Sequence, residues 1–181
     1  VVSEHLKEAI KNKGISAPIS IIGNVIETKG IRKQENKENF TFLMVADLVD
    51  KTKNISGIIR ALPDVIKSNP NVSLDIIGDG SDKEALQKLV LDLNLSQSVK
   101  FIGRLTQEAV LEYYLNVDCV IVNSNFETYS MVTVEAVLSG LPVIATRCKG
   151  PEQFINEQNG LLVDLNNLKQ LYTAMNLIIK R

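Results

Sequence analysis

The chain has 181 residues, 45% hydrophobic and 23% charged, which suits one ordinary globular domain. Its formal net charge of −1 gives no overall basic field that would attract nucleic acid. No apolar stretch approaches the roughly 20 residues of a membrane-spanning helix, and the first residues do not resemble a signal peptide. Cys119 and Cys148 have neither a metal-binding nor a Cys-x-x-Cys spacing. We therefore expect a protein of the reducing cytoplasm, and a place at the cytoplasmic face of a membrane stays open.

Residues 1–39 differ from the rest of the chain. Residues 29–39 are strongly polar and predict an exposed linker. Before them, residues 6–11 are compatible with a helix and residues 19–22 with a strand, but neither piece has an obvious partner. We interpret 29–39 as a polar linker, and because the pieces before it have no partner we expect the chain to start partway through a larger protein.

Residues 40–181 alternate short β-rich runs with longer amphipathic segments, the mark of a parallel sheet wrapped by helices. The fold class we predict is α/β, a Rossmann-like parallel sheet with helices on both faces. The predicted strands are 40–46, 73–77, 99–102, 118–124, 141–146 and 160–163. The predicted helices are 55–68, 81–93, 106–115, 131–139, a short one opening at 150–152, and 168–179.

Capping residues refine several of these boundaries. Ser81 has the character of an N-cap, with Glu84 placed for a capping box, and Thr106 is the predicted N-cap of the following helix. Pro63 is expected to kink the helix over 55–68 or to start a second piece. Gly78 and Gly80 are expected to serve the backbone geometry at a strand end.

Two glutamates, Glu127 and Glu135, flank the point where a buried strand gives way to a helix. A ligand beyond the carboxyl end of that strand would meet one carboxylate in the loop and a second one turn into the helix. Between them, successive backbone N–H groups and the helix dipole are suited to an anionic group such as a phosphate. The four residues that supply these N–H groups are Thr128, Tyr129, Ser130 and Met131. Such a site needs no metal, and we predict no cofactor.

Several short motifs occur in an order that resembles one known family. They are Glu127 to Glu135 (E-x7-E), Gly78-Asp79-Gly80, Phe101-Ile102-Gly103, the stretch EAVLSGLPVIAT at 135–146 and NGLLV at 159–163. Together they are similar to the C-terminal, donor-binding half of retaining glycosyltransferases of the two-Rossmann (GT-B) type, in particular family 4. Residues 1–4 and 21–24 also resemble the end of the partner domain and the interdomain connection. The resemblance implies that 1–39 is an interdomain connection and polar linker, that 40–181 is the nucleotide-sugar donor-binding domain, and that the N-terminal acceptor-binding domain is absent.

The resemblance also implies roles for single residues. Glu135 would accept hydrogen bonds from the ribose, and Glu127 would act catalytically by facing the sugar, orienting it and stabilising an oxocarbenium-like transition state. Lys53 falls at the position of a lysine that holds the leaving diphosphate. A Gly-Arg pair is expected after the first strand, but Ala46 and Asp47 stand there, and Asp47 would repel phosphate. Lys51, Arg104, Arg147 and Lys149 are candidates to compensate.

The resulting function is transfer of a sugar from a nucleoside-diphosphate donor to an acceptor hydroxyl with retention of configuration, in glycan or polysaccharide biosynthesis. The fragment alone is expected to bind nucleotide weakly and to transfer nothing. Any membrane association would come through the absent half. One alternative is a catalytically degenerate module that binds a nucleotide or a protein partner, which Asp47 favours. The other is a nucleotide-sugar epimerase of the same architecture.

Overall fold

The computed structural model describes residues 1–31 and 38–181. The central part of the predicted polar linker, residues 32–37, lies outside the described residues. Within the described ranges, none of the helices has both the length and the apolar character needed to cross a bilayer.

In the described part of the chain, six parallel strands form one sheet in the order β3-β2-β1-β4-β5-β6. This is the doubly wound arrangement, because the chain moves outward from β1 to β3, returns to the middle and then moves outward on the other side. The prediction of a Rossmann-like parallel sheet is confirmed. The strands are β1 (Phe40–Val45), β2 (Val72–Ile77), β3 (Val99–Gly103), β4 (Cys119–Val122), β5 (Val143–Thr146) and β6 (Gly160–Val163).

Helices cover both faces of the sheet, because successive strand residues point to opposite faces and both sets are apolar. On one face α3, α4 and α7 pack over side chains such as Phe42 and Ile121. On the other face α5 and α6 pack over Leu43 and Val120. The helices are α1 (Glu4–Lys11), α2 (Asp50–Lys53), α3 (Ile55–Ser68), α4 (Lys83–Asp92), α5 (Gln107–Tyr114), α6 (Met131–Leu138) and α7 (Leu168–Ile179), and a 3₁₀ turn lies at Pro151–Gln153.

Two local predictions are wrong. Residues 19–22 form no strand, and Ser81 does not cap α4, since Asp82 is the N-cap residue. Of the two outcomes expected at Pro63, a second helical piece does not occur, because α3 runs through Pro63 as one helix. The Asp82 carboxylate is itself occupied by the backbone N–H of Asp50 at 2.7 Å, and the Ser81 hydroxyl donates to the other Asp82 oxygen at 3.3 Å. The predicted cap at Thr106 is confirmed, since its hydroxyl accepts from the N–H of Ala109.

Two glycines bring the β1–α2 and β2–α4 loops together at the carboxyl edge of the sheet. A Cβ on Gly78 would lie 1.8 Å from the carbonyl oxygen of Ala46, and one on Gly80 would lie 2.5 Å from that of Leu48. Gly78 also has a φ of +140°, which residues with side chains rarely adopt. The prediction that these glycines serve backbone geometry is therefore confirmed.

Candidate functional site

The strand order reverses between β1 and β4, and a cleft of about 450 Å³ opens beyond the carboxyl ends of these two strands. In open α/β sheets this switch point is where ligands bind, because the loops after the two strands diverge there. We call it the central cleft. It is lined by Val2, Asn24, residues 44–47, Lys53, Ile121, Val122, Ser124 and residues 127–132.

Lys53 and Glu127 form an ion pair in the central cleft. The Lys53 Nζ lies 2.7 Å from Glu127 Oε1, and the Ser124 hydroxyl donates to the same oxygen at 2.8 Å. The two charged side chains are only 25% and 17% exposed, so water screens their attraction less than that of a surface pair. The ion pair fixes the Glu127 carboxylate near the carboxyl end of β4.

The backbone of Glu127 is held from a second side. It forms an isolated parallel bridge with Lys149, in which the N–H of Glu127 donates to the carbonyl of Cys148 and the N–H of Gly150 donates to the carbonyl of Glu127. Burial raises the pKa of the nearby Cys148 thiol, and the Glu127 carboxylate raises it further. The loop that carries Glu127 is thus tied to the loop after β5.

A row of backbone N–H groups follows Glu127. Within the described residues, the N–H groups of 128–132 donate no hydrogen bond to a protein acceptor. Ser130 stands at φ +69°, a left-handed conformation that directs the chain into α6, and its hydroxyl is 2.7 Å from that of Thr133. The start of α6 adds the positive end of a helix dipole, equivalent to about half an elementary charge. Since these residues line the central cleft, the arrangement can receive an anion.

The N-terminal segment also contacts this loop. The Ser3 hydroxyl donates to the carbonyl of Thr128 at 3.1 Å, and the Asn24 amide lies 3.1 Å from the Met131 sulfur. Tyr129 stacks edge-on against Phe154, with ring centroids 4.9 Å apart. Residues far apart in the chain therefore hold the backbone that would meet the anion.

Glu135 does not line the central cleft. It is 6% exposed and lies between α6 and α5, where the Tyr114 hydroxyl donates to Oε2 at 3.1 Å and the Gln107 amide donates to Oε1 at 3.4 Å. Burial, reinforced by the Glu135 charge, raises the pKa of Tyr114 well above its ordinary value. Tyr114 therefore stays protonated as a donor to this carboxylate.

The cations considered as compensation for Asp47 are dispersed. Arg104 reaches across from the end of β3, and its Nη2 lies 3.0 Å from Asp47 Oδ1. Arg147 is paired instead with Asp164 at 3.5 Å. Lys149 sits in the bridge with Glu127, and its backbone N–H donates to Glu152. Among the described residues, Arg104 is the one of these three whose side chain forms an ion pair with a residue that lines the cleft.

Six of the seven predicted site residues come together in the central cleft, and Glu135 lies outside it. The functions assigned to all seven stay predictions. The contacts that hold Glu127, Glu135 and the loop between them could not be predicted from the sequence, because each spans a turn or a long chain separation that no local motif signals. The residues that make these contacts are Ser124, Tyr114, Gln107, Ser3 and Asn24. Among the described residues, no group of three or more His, Cys, Asp or Glu side chains is arranged to hold a metal ion.

The sheet order and the cleft at its switch point define a Rossmann-like domain of the kind found in GT-B glycosyltransferases. The model of the family "Glycosyl transferases group 1" matches residues 25–181, and the chain belongs to this family.

Relatives and solved structures agree with that assignment. Lipopolysaccharide 1,6-galactosyltransferase of Escherichia coli K12 is 28% identical over 183 residues, 97% of this chain and 50% of that protein. S. aureus TarM, solved with Fondaparinux, alpha-GlcNAc-glycerol and UDP, is 25% identical with a TM-score of 0.89 over 100% of this chain and 36% of that one. The C-terminal domain of LpcC from Francisella tularensis shares the fold (TM-score 0.74, 23% identity, 87% of this chain, 89% of that one). The chain spans about a third to a half of the length of the curated relatives it matches.

Proposed function

We propose that the chain is the donor-binding half of a retaining glycosyltransferase of family 4. The enzyme transfers a sugar from a nucleoside-diphosphate sugar to an acceptor hydroxyl in glycan or polysaccharide biosynthesis. In this proposal the acceptor binds to a separate N-terminal domain, and the reaction takes place in the cytoplasm or at the cytoplasmic face of a membrane. Membership of the glycosyltransferase family supports the reaction class.

The observation that carries the proposal is the row of free N–H groups over residues 128–132, which opens into the same cleft as Lys53. A diphosphate requires several donors and a positive field, and helix starts supply both without a metal ion. Lys53 adds a point charge across the cleft. The UDP bound to TarM, whose fold superposes over the whole of this chain, supports a nucleoside diphosphate as the ligand.

Glu127 is the proposed catalytic residue, in the sense that it orients the sugar and stabilises developing positive charge. Its carboxylate is fixed by Lys53 and Ser124, so little reorganisation is needed during the reaction. In the proposed front-face reaction the acceptor attacks the side from which the diphosphate leaves, and the diphosphate takes up the acceptor proton. Glu127 is not assigned the role of a nucleophile.

Glu135 is the proposed ribose ligand. A carboxylate offers about four lone-pair positions, and Tyr114 and Gln107 occupy two of them. The remaining positions suit the two hydroxyls of a ribose. The 3.4 Å contact with Gln107 is long for a hydrogen bond, so a ribose hydroxyl at a shorter distance would displace it.

The alternative hypothesis is a non-catalytic module that binds a nucleotide or a protein partner. Asp47 favours it, since a carboxylate in the wall of the cleft opposes phosphate binding. A measurement of nucleotide binding distinguishes the proposed function from a module that binds only a protein partner.

Isothermal titration of the 181-residue chain with UDP, GDP and ADP tests the proposal. We expect saturable binding of one of them, weakened about ten-fold or more by Lys53→Ala through loss of a charge-assisted contact. Lys88→Ala is a matched control, because it removes a lysine from an exposed ion pair on α4. Failure of all three nucleotides to bind would favour a protein-interaction module instead.

A further inference from the structure

The ion pair between Arg104 and Asp47 joins two loops at the carboxyl edge of the sheet. Arg104 follows β3 and Asp47 follows β1, so the arginine side chain spans the end of β2 to reach its partner at 3.0 Å. Asp47 itself lines the central cleft. The pair therefore holds the Arg104 guanidinium beside Asp47, although Arg104 itself does not line the central cleft.

Stability does not account for this arrangement. The two side chains are 71% and 72% exposed, and exposed ion pairs contribute little to the free energy of folding because water and salt screen them. A pair that stabilises the fold so little is free to be exchanged for a ligand contact.

Charge balance in the central cleft accounts for the pairing of Arg104 with Asp47. Lys53 is already matched by Glu127, so Asp47 alone would leave one uncompensated negative charge beside the proposed diphosphate. The positive charge of Arg104 balances it. A guanidinium also carries five N–H donors in a planar fork, and the contact with Asp47 runs through only one of its nitrogens, Nη2.

We propose that Arg104 binds the diphosphate of the donor and replaces the cation that is absent at position 47. This inference rests on the proposed function. In the unliganded chain Asp47 holds Arg104 beside the cleft, and in the complex the remaining N–H groups of Arg104 donate to phosphate oxygens. Asp47 thus acts as a positioning residue for Arg104.

A double-mutant cycle tests this directly, with the affinity of the 181-residue chain for a nucleoside diphosphate as the measured quantity. UDP and uridine are used, or the corresponding guanine or adenine pair if the parent chain binds GDP or ADP instead. Arg104→Ala removes the cation and exposes the Asp47 charge, so we expect a loss of about ten-fold or more. The decisive comparison is made in the Asp47→Asn background. If Arg104 contacts phosphate, adding Arg104→Ala there still weakens UDP binding at least about three-fold, less than in the parent because the neutral side chain at 47 positions Arg104 less firmly. If Arg104 only neutralises Asp47, adding Arg104→Ala in this background leaves the UDP affinity unchanged, and the proposal is overturned.

Uridine supplies the second arm of the experiment because it has the base and ribose of UDP but no phosphate. We expect Arg104→Ala to leave its affinity unchanged. An equal loss for uridine and UDP would place Arg104 at the base or ribose and would overturn the proposal.

Arg147→Ala is the matched control, since it removes an arginine from another exposed Arg–Asp pair with the same change in net charge. It is expected to leave UDP affinity within about two-fold of the parent, and an equal loss would show that net charge alone acts. If the parent chain binds no UDP, GDP or ADP, the proposed function fails together with this inference. If it binds one of them and Arg104→Ala has no effect, only this inference fails.

Discussion

Lys53 and Glu127 are partners in the unliganded chain, yet the proposed function gives them different ligands, the diphosphate and the sugar. Glu127 therefore competes with phosphate for the same ammonium group at 2.7 Å. Neutralising Glu127 should free Lys53 for the diphosphate and remove a nearby like charge. We predict that Glu127→Gln tightens UDP binding at least about three-fold, measured by calorimetric titration. Glu157→Gln, in an exposed turn, is the control and is expected to change nothing. Weaker binding in Glu127→Gln would show that Glu127 holds Lys53 in a productive position instead.

The contact between Tyr114 and Glu135 allows a prediction about stability. Tyr114 is fully buried, and its hydroxyl donates to a buried carboxylate. Tyr114→Phe keeps the ring but leaves Glu135 without that donor, and a buried charged group that loses a hydrogen bond costs about 1–3 kcal/mol. We expect this decrease in the free energy of unfolding in urea. Tyr172→Phe is the control, since within the described residues the Tyr172 hydroxyl makes a single, exposed 3.5 Å contact, with Ser68. Equal effects of the two variants would contradict the account.

For single residues, the sequence predicted only those parts of the site whose members are neighbours in the chain. Thr128 to Met131 lie at a strand-to-helix junction, so their place in a cleft could be predicted from the periodicity alone. The partners of Glu127 and Glu135 could not, since Lys53 is 74 positions from Glu127 and Tyr114 lies on a different helix from Glu135. Such pairs depend on which strands become neighbours, and no local pattern encodes that.

At the scale of the elements, Gly78 joins the end of β2 to the loop after β1. Gly78→Ala would place a Cβ 1.8 Å from the Ala46 carbonyl oxygen, so the two loops would have to separate. We predict a loss of about 4 kcal/mol or more in the free energy of unfolding, measured by urea denaturation. Gly103→Ala is a matched control, because Gly103 also has a positive φ (+88°) but no atom within 4 Å of the added Cβ. It should cost only about 1–2 kcal/mol for the left-handed backbone. Similar losses in both variants would contradict a steric role for Gly78.

The predicted elements over 40–181 agree with the structure to within a few residues, because the long amphipathic helices and buried strands carry strong periodicities. The errors occur where tertiary contacts decide. Ser81 loses the cap because Asp82 is engaged with the loop that carries Asp50. Residues 19–22 have strand-like composition, yet they do not pair into the sheet, whose two edges are formed by β3 and β6.

At the scale of the whole molecule, the proposed function divides the reaction between two domains. Much of the rate of a group transfer comes from holding both substrates in one geometry. We predict that the 181-residue chain alone transfers no sugar from a nucleoside-diphosphate sugar to an acceptor, when product formation is followed with a labelled donor. Measurable transfer to an added acceptor would contradict the division.

The strand order places β1 and β4 side by side, and the central claim is that the cleft between their ends receives a diphosphate on the N–H groups of 128–132. The most direct measurement is an amide ¹H–¹⁵N NMR titration of the chain with UDP, GDP and ADP. We expect one of them to shift the amide resonances of 128–132 most strongly and in a saturable way, and Lys53→Ala to weaken this response. Absence of shifts with all three nucleotides, or saturable shifts elsewhere that leave 128–132 unchanged, would contradict this expectation.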